Sequence, residues 1–328
     1  MEKRDCTIDF IKGMLILGVV YGHTITALWS GHSHQPVWLH TFVRTYDMPF
    51  FMLLSGWFFR KSLARAGLVK SLVNHVTMLF VPIVVWSLLR GVLNVFGGLY
   101  YFVWAVLACG VVCAITDYCT SRLKGCARLA AQSLALTAVA VLLHLFAVPW
   151  NLFYLFPFFA VGFMAPRLRF SFRESVEAVL FVCLVVGLCF WKSQYTPWTT
   201  GGEAWKVDGF AFVVYAYRFA LALLGVHFVW KVFDSLRQSL GEGSWLVSVV
   251  VRSGRESLSI YLLHMFPLRL IGKLCPQHPS FHGMEGLIGY VEAPMLAFVV
   301  VLGLLLFIRL VKSCRFTGWM LGFKAIVK

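Results

Sequence analysis

Residues 7–29 read TIDFIKGMLILGVVYGHTITALW, and the fold turns on this stretch. At ~1.5 Å rise per residue, 23 residues cross a ~30 Å hydrocarbon core as one helix. Yet the stretch carries Asp9, Lys12 and His23. An ionisable group inside a spanning helix costs about 2.5–3.5 kcal/mol on insertion scales, so it rarely idles. Asp9 and Lys12 lie within about one turn of the start and can snorkel to the interface. His23 sits about three turns deeper, with less escape. Imidazole exchanges a proton near neutral pH, so His23 reads either as a histidine bonded to a neighbouring helix or as a catalytic base.

Composition supports the membrane reading. The 328 residues are 60% hydrophobic and 13% charged, with a mean hydropathy of +0.80. Soluble domains average about 45–50% apolar and 25% charged, so several spans are expected. The net charge of +15 would suggest nucleic acid in a soluble chain. Here the basic residues fall in short connections between apolar runs, which is the positive-inside pattern, and no nucleic-acid partner is expected. The nine cysteines include no C-x-x-C pair, and free thiols are expected. MEKRDC leads into the first span with no small-residue cleavage site, which reads as an uncleaved insertion signal.

Ten apolar segments have spanning character: 7–29, 37–59, 71–96, 98–118, 127–148, 151–166, 174–192, 208–230, 257–273 and 287–311. Counting Lys and Arg in the connections places twenty on one side and three on the other, and the alternation never breaks. The expectation is an all-α polytopic membrane protein, one transmembrane domain over 1–328, with ten helices and both termini cytoplasmic. The outer loops are too short for an outer domain, so outer chemistry must occur in a cavity between spans. Their histidines (His32, His34, His278 and His282) match no zinc spacing, and no metal is expected. The long inner connection 231–256 contains SLGEGSWLVSVVV, which suggests an amphipathic piece along the membrane surface.

Two more stretches carry chemistry with the first. The second span, HTFVRTYDMPFFMLLSGWFF, holds Arg44 and Asp47. The ninth opens RESLSIYLLH and reaches His264, and Arg218 lies inside the eighth. At ~1.5 Å per residue, Arg44 and Asp47 fall within a turn or two of His23 in depth. A carboxylate beside a histidine orients the ring and stabilises its charged form, as a general base requires. The three-residue spacing of Arg44 and Asp47 also fits a structural pair on one helix face. Pro49 fits a local distortion of the helix beside Asp47.

IDFIKG followed by VVYGH, then YDMPFFMLLSGWFF, then ESLSIYLLH together resemble the acyltransferase-3 family of membrane O-acyltransferases, in its fucose-4-O-acetylase-like branch. That branch commonly reads ID-x-x-KG…GH, FHMP-x-FF-x-x-SG and SL-x-IYL-x-H, and the likeness runs from Ile8 to about Phe307. It implies a ten-helix domain moving an acyl group, usually acetyl, from cytoplasmic acyl-CoA to a hydroxyl on an extracytoplasmic or lipid-linked glycan. It makes His23 the catalytic histidine and puts Lys12 where other branches carry arginine. Asp47 departs from the branch by replacing its FHMP histidine, which points to a different polar partner or acceptor.

The leading expectation is therefore an O-acetyltransferase of the bacterial inner (plasma) membrane that modifies a polysaccharide. His23, Asp47 and Arg44 are its candidate catalytic residues. Lys12 and Asp9 are the candidates for binding the donor, and Arg218 and His264 are polar candidates for substrate or structure. Acyl-CoA is a co-substrate, with no permanently bound cofactor. A proton-coupled transporter or exporter, and an inactive scaffold, are the alternatives, since buried His, Asp and Arg also build proton relays.

Overall fold

The structure is a computed structural model and describes residues 5–28, 37–89, 100–145, 152–165, 172–191, 209–274 and 285–313. Helices α1 to α4 are Cys6–Leu28, Trp38–Ala66, Leu68–Leu89 and Tyr101–Cys119. Helices α5 to α8 are Gly125–Leu145, Leu152–Met164, Glu174–Cys189 and Gly209–Leu240. Next come α9 (Trp245–Arg255), α10 (Ser257–Leu263) and α11 (Met265–Leu274). A single turn, α12 (Glu285–Leu287), then passes through a π turn (Ile288–Glu292) into α13 (Ala293–Ser313). Among the described residues there is no strand, so the chain is the expected all-α membrane protein.

Cross-helix contacts sort the helix ends into two groups. At one end Arg60 of α2 donates to the Phe163 carbonyl of α6 at 2.9 Å, and Arg128 of α5 meets Asp117 of α4 at 2.9 Å. At that end, too, Lys231 of α8 pairs with Glu177 of α7, Lys312 of α13 with Glu256, and Arg255 with Asp9 of α1. At the opposite end the Tyr21 hydroxyl donates to the Gly289 carbonyl in the π turn at 2.9 Å, and Tyr217 of α8 donates to Gly187 of α7 at 2.6 Å. The first end carries the ion pairs. The second is tied by tyrosine hydroxyls.

Among the described residues six helices are long and apolar enough to cross a membrane: Cys6–Leu28, Leu68–Leu88, Tyr101–Cys119, Gly125–Leu145, Val213–Leu240 and Ile288–Ser313. Helix α2 has the length, but its internal charges dilute its hydropathy. Helix α6 has 13 residues, about 20 Å of rise, and is buried along most of its length. By contrast α5 buries only Gln132 and Leu136, and α7 only Leu184 and Leu188. Many of their other apolar side chains, such as Leu134, Leu142, Val179 and Val182, are exposed, where hydrocarbon is the natural solvent.

Bare backbone lets the central helices approach. A Cβ on Gly56 of α2 would collide with the Phe159 carbonyl of α6, and one on Gly162 of α6 with the Leu53 carbonyl of α2. The same reciprocity joins α1 to α9 through Gly13 and Gly254. Without a hydrophobic drive in lipid, such small-residue seams let van der Waals contact hold helices together.

The connection 231–256 departs from expectation. Helix α8 continues to Leu240, and α9 packs on α1 instead of lying alone on a surface. Its Val247, Val250, Val251, Ser253 and Gly254 are buried, while Trp245, Leu246, Arg252 and Arg255 are exposed. The amphipathic pattern was real, but its apolar face serves a helix seam. The ninth segment is accordingly longer than 257–273, broken at Glu256 and His264 into α9, α10 and α11. Helix α2 runs unbroken through Pro49. The seven described cysteines are free thiols. The loop histidines, His32, His34, His278 and His282, lie outside the described residues.

Candidate active site

Helix α1 carries His23 five residues from its end, and His264 lies beside it at the junction of α10 and α11. The two rings lie 5.1 Å apart between centroids, tilted by 47°. His264 is buried, and its Nδ1 lies 2.7 Å from the Tyr261 carbonyl oxygen. A carbonyl only accepts, so Nδ1 carries the proton and the neutral ring presents a lone pair on Nε2. The backbone thereby sets the tautomer of the second histidine.

The second helix supplies the rest of the cluster. Arg44 Nε donates to His40 Nε2 at 2.9 Å, one turn apart on α2. Gly22 of α1 offers both side chains a flat surface, since a Cβ there would stand 3.8 Å from each of those nitrogens. The ionisable groups that bear on His23 are His264, Arg44 and His40. Asp47 is buried and accepts the Met48 backbone N–H at 2.6 Å. Its charged neighbours are Arg44 and Arg218, so its link to His23 runs through Arg44, which bears on both.

Arg218 of α8 is fully buried, with its guanidinium 5.4 Å from the Trp191 ring centroid. None of its three side-chain nitrogens has a hydrogen-bond partner among the described residues. The hydroxyl of Tyr154 on α6 lies close enough to bear on its charge.

On the ion-pair side of this layer lies a cavity of about 400 Å³ between α1, α2, α3, α4 and α10. Lys12, Val19, Ser55, Phe102, Ser257 and Tyr261 are among its walls. Val19 is one turn before His23, and the Tyr261 ring stands 5.6 Å from that of His264. Lys12 marks the other end, about 10 Å lower along α1 at ~1.5 Å per residue. Its ammonium sits 6.0 Å from the Phe58 ring. The volume falls near the low end of the ~300–1,000 Å³ range of small-molecule pockets. Asp9 is not among the cavity walls and accepts from Arg255 Nε at 3.0 Å.

The structure thus gathers His23, Arg44 and His264, brings Asp47 and Arg218 beside them, and sets Lys12 in the cavity. His40 was missed in the sequence, although its four-residue spacing from Arg44 was visible. Among the described residues, no three His, Cys, Asp or Glu side chains form a metal-binding group.

A family model described as an acyltransferase domain matches residues 7–312. The chain belongs to the acyltransferase-3 family. It is 24% identical over 306 residues to nodulation protein NolL of Sinorhizobium fredii (strain NBRC 101917 / NGR234), covering 82% of this chain and 79% of that protein. It is 25% identical over 185 residues to nodulation protein NolL of Mesorhizobium japonicum (strain LMG 29417 / CECT 9101 / MAFF 303099), covering 50% and 48%. No solved structure matches. The protein is a membrane acyltransferase.

Proposed function

We propose that the protein is an O-acetyltransferase of the plasma membrane, working as one transmembrane domain. It takes acetyl from cytoplasmic acetyl-CoA and gives it to a hydroxyl of an extracytoplasmic or lipid-linked glycan. The observation that carries this reading is the cavity running from Lys12 to Val19, one turn before His23, and to Tyr261, whose ring stands against His264.

The donor enters from the ion-pair end, with Lys12 as a point charge for the CoA phosphates and the apolar walls around the thioester arm. The acceptor arrives from the opposite end. His23 takes the proton of its hydroxyl as the oxygen attacks the thioester carbonyl. Arg44 stabilises the oxyanion of the tetrahedral intermediate. The carbon–sulfur bond then breaks, and the CoA thiolate leaves with the proton returned from His23. His264, its Nδ1 turned to the Tyr261 carbonyl, stands against the His23 ring, and the Asp47 carboxylate bears on Arg44 through space.

Incubating purified protein with radiolabelled acetyl-CoA and bacterial envelope glycans tests the reading. Label should pass to base-labile ester in the glycan with wild type and not with His23→Ala. Equal transfer by that variant would remove His23 from the chemistry.

A further inference from the structure

Arg218 is the one fully buried charged side chain among the described residues whose nitrogens all lack a hydrogen-bond partner. A guanidinium has five donors and no acceptor, so it demands oxygen. Trp191 offers only a ring face, which orients the group and satisfies no N–H. Asp47 feels its charge but is shared with Arg44. Two guanidinium groups thus bear on one carboxylate with no ion pair to either among the described residues, which leaves an excess positive charge in a low-dielectric interior. Burying an uncompensated charge is expensive, and intramembrane charges mark ligand paths.

Four elements converge on this point: α2 with Asp47, α6 with Tyr154, the residue Trp191 after α7, and α8 with Arg218 itself. Asp47 and Arg218 each stand nine residues from the start of their helix, at the end where Tyr217 and Tyr21 tie the bundle. That is the end from which the acceptor comes. From this we infer that Arg218 is the core of an acceptor subsite that holds an anionic oxygen group, a carboxylate or a phosphate, on the molecule to be acylated. The inference rests on the acyltransfer reading and narrows its acceptor to an anionic one. Arg218 grips the anion, and the hydroxyl to be acylated reaches His23 past Arg44.

The test uses full-length protein in lipid nanodiscs, with thermal unfolding followed against three probes: glucuronate, glucose 1-phosphate and glucose. Wild type should show a saturable rise in melting temperature with at least one anion and none with glucose. A response to glucuronate alone indicates a uronic acid acceptor, and one to glucose 1-phosphate indicates a phosphate-linked sugar. Arg218→Gln should abolish the rise, and Arg218→Lys should keep it with at least tenfold weaker affinity. Arg218→Met separates binding from structure. A waiting ligand site predicts a ligand-free melting temperature equal to or above wild type, because an apolar side chain replaces an uncompensated charge. A purely structural arginine predicts a fall, and that fall would overturn the inference. So would an equal response to glucose, a retained anion response in Arg218→Gln, or no anion response in wild type that still binds acetyl-CoA. Loss of acetyl-CoA binding by wild type would strike the acyltransfer reading itself, and this inference with it.

Discussion

His23 and His264 stand ring to ring at 5.1 Å although 241 positions separate them in the chain. His264 sits at the junction of α10 and α11 with helical backbone angles, and its Nδ1 reaches the carbonyl three residues back. A fixed lone pair beside the proposed base should matter for turnover more than for binding. His264→Ala should lower kcat by about 10²-fold, the lower bound for a positioned acid–base group, with the KM for acetyl-CoA unchanged. Steady-state kinetics in detergent decide it, and an unaltered kcat would reduce His264 to packing.

The cavity should respond to being filled. Ser55 lines it and donates to the Phe51 carbonyl at 2.7 Å. Ser55→Phe should weaken acetyl-CoA binding at least tenfold, about 1.4 kcal/mol. Lys12→Gln should weaken it likewise, and Lys12→Arg should not. Calorimetric titration distinguishes these, and unchanged affinity in both Ser55→Phe and Lys12→Gln would place the donor elsewhere.

Asp9 gives a contrasting expectation. Its carboxylate is buried while Arg255 is 45% exposed, so the pair is partly screened. Asp9→Asn should cost about 1 kcal/mol of stability, well below the ~3–5 kcal/mol of a broken fully buried pair. Acetyl-CoA affinity should stay as in wild type. A drop in affinity without a drop in melting temperature would return Asp9 to the donor site.

The glycine seams should be intolerant. Gly162→Val places its side chain against the Leu53 backbone, which has no flexible end to move aside. It should destabilise by at least the ~1–3 kcal/mol typical of overpacking. Gly303→Val on α13 meets open space and serves as the control. Thermal unfolding in nanodiscs should separate the two, and equal melting temperatures would deny the seam.

Much of this architecture was legible because the bilayer imposes length and polarity on every helix. The apolar runs and the Lys and Arg asymmetry depend on that solvent, so they survive in the bare sequence. His23 was legible because an imidazole deep in such a run is costly. His264 was visible as a residue but not as the neighbour of His23, since their meeting depends on how two helices far apart in the chain pack together. The seam between α9 and α1 was hidden for a related reason. An amphipathic stretch reads alike whether its apolar face meets lipid or another helix. Arg44 and Asp47 share a helix face as their spacing suggested, yet the second arginine of the cluster comes from α8, far along the chain. Long-range convergence of that kind leaves no local periodicity to read.

The most direct measurement is acetyl-CoA binding and transfer by wild type and His23→Ala, side by side in one preparation. Both proteins should bind acetyl-CoA with similar affinity by calorimetry, and only wild type should move the acetyl group. Absence of binding by wild type to acetyl-CoA and to longer acyl-CoAs, or wild-type turnover by His23→Ala, would contradict the account.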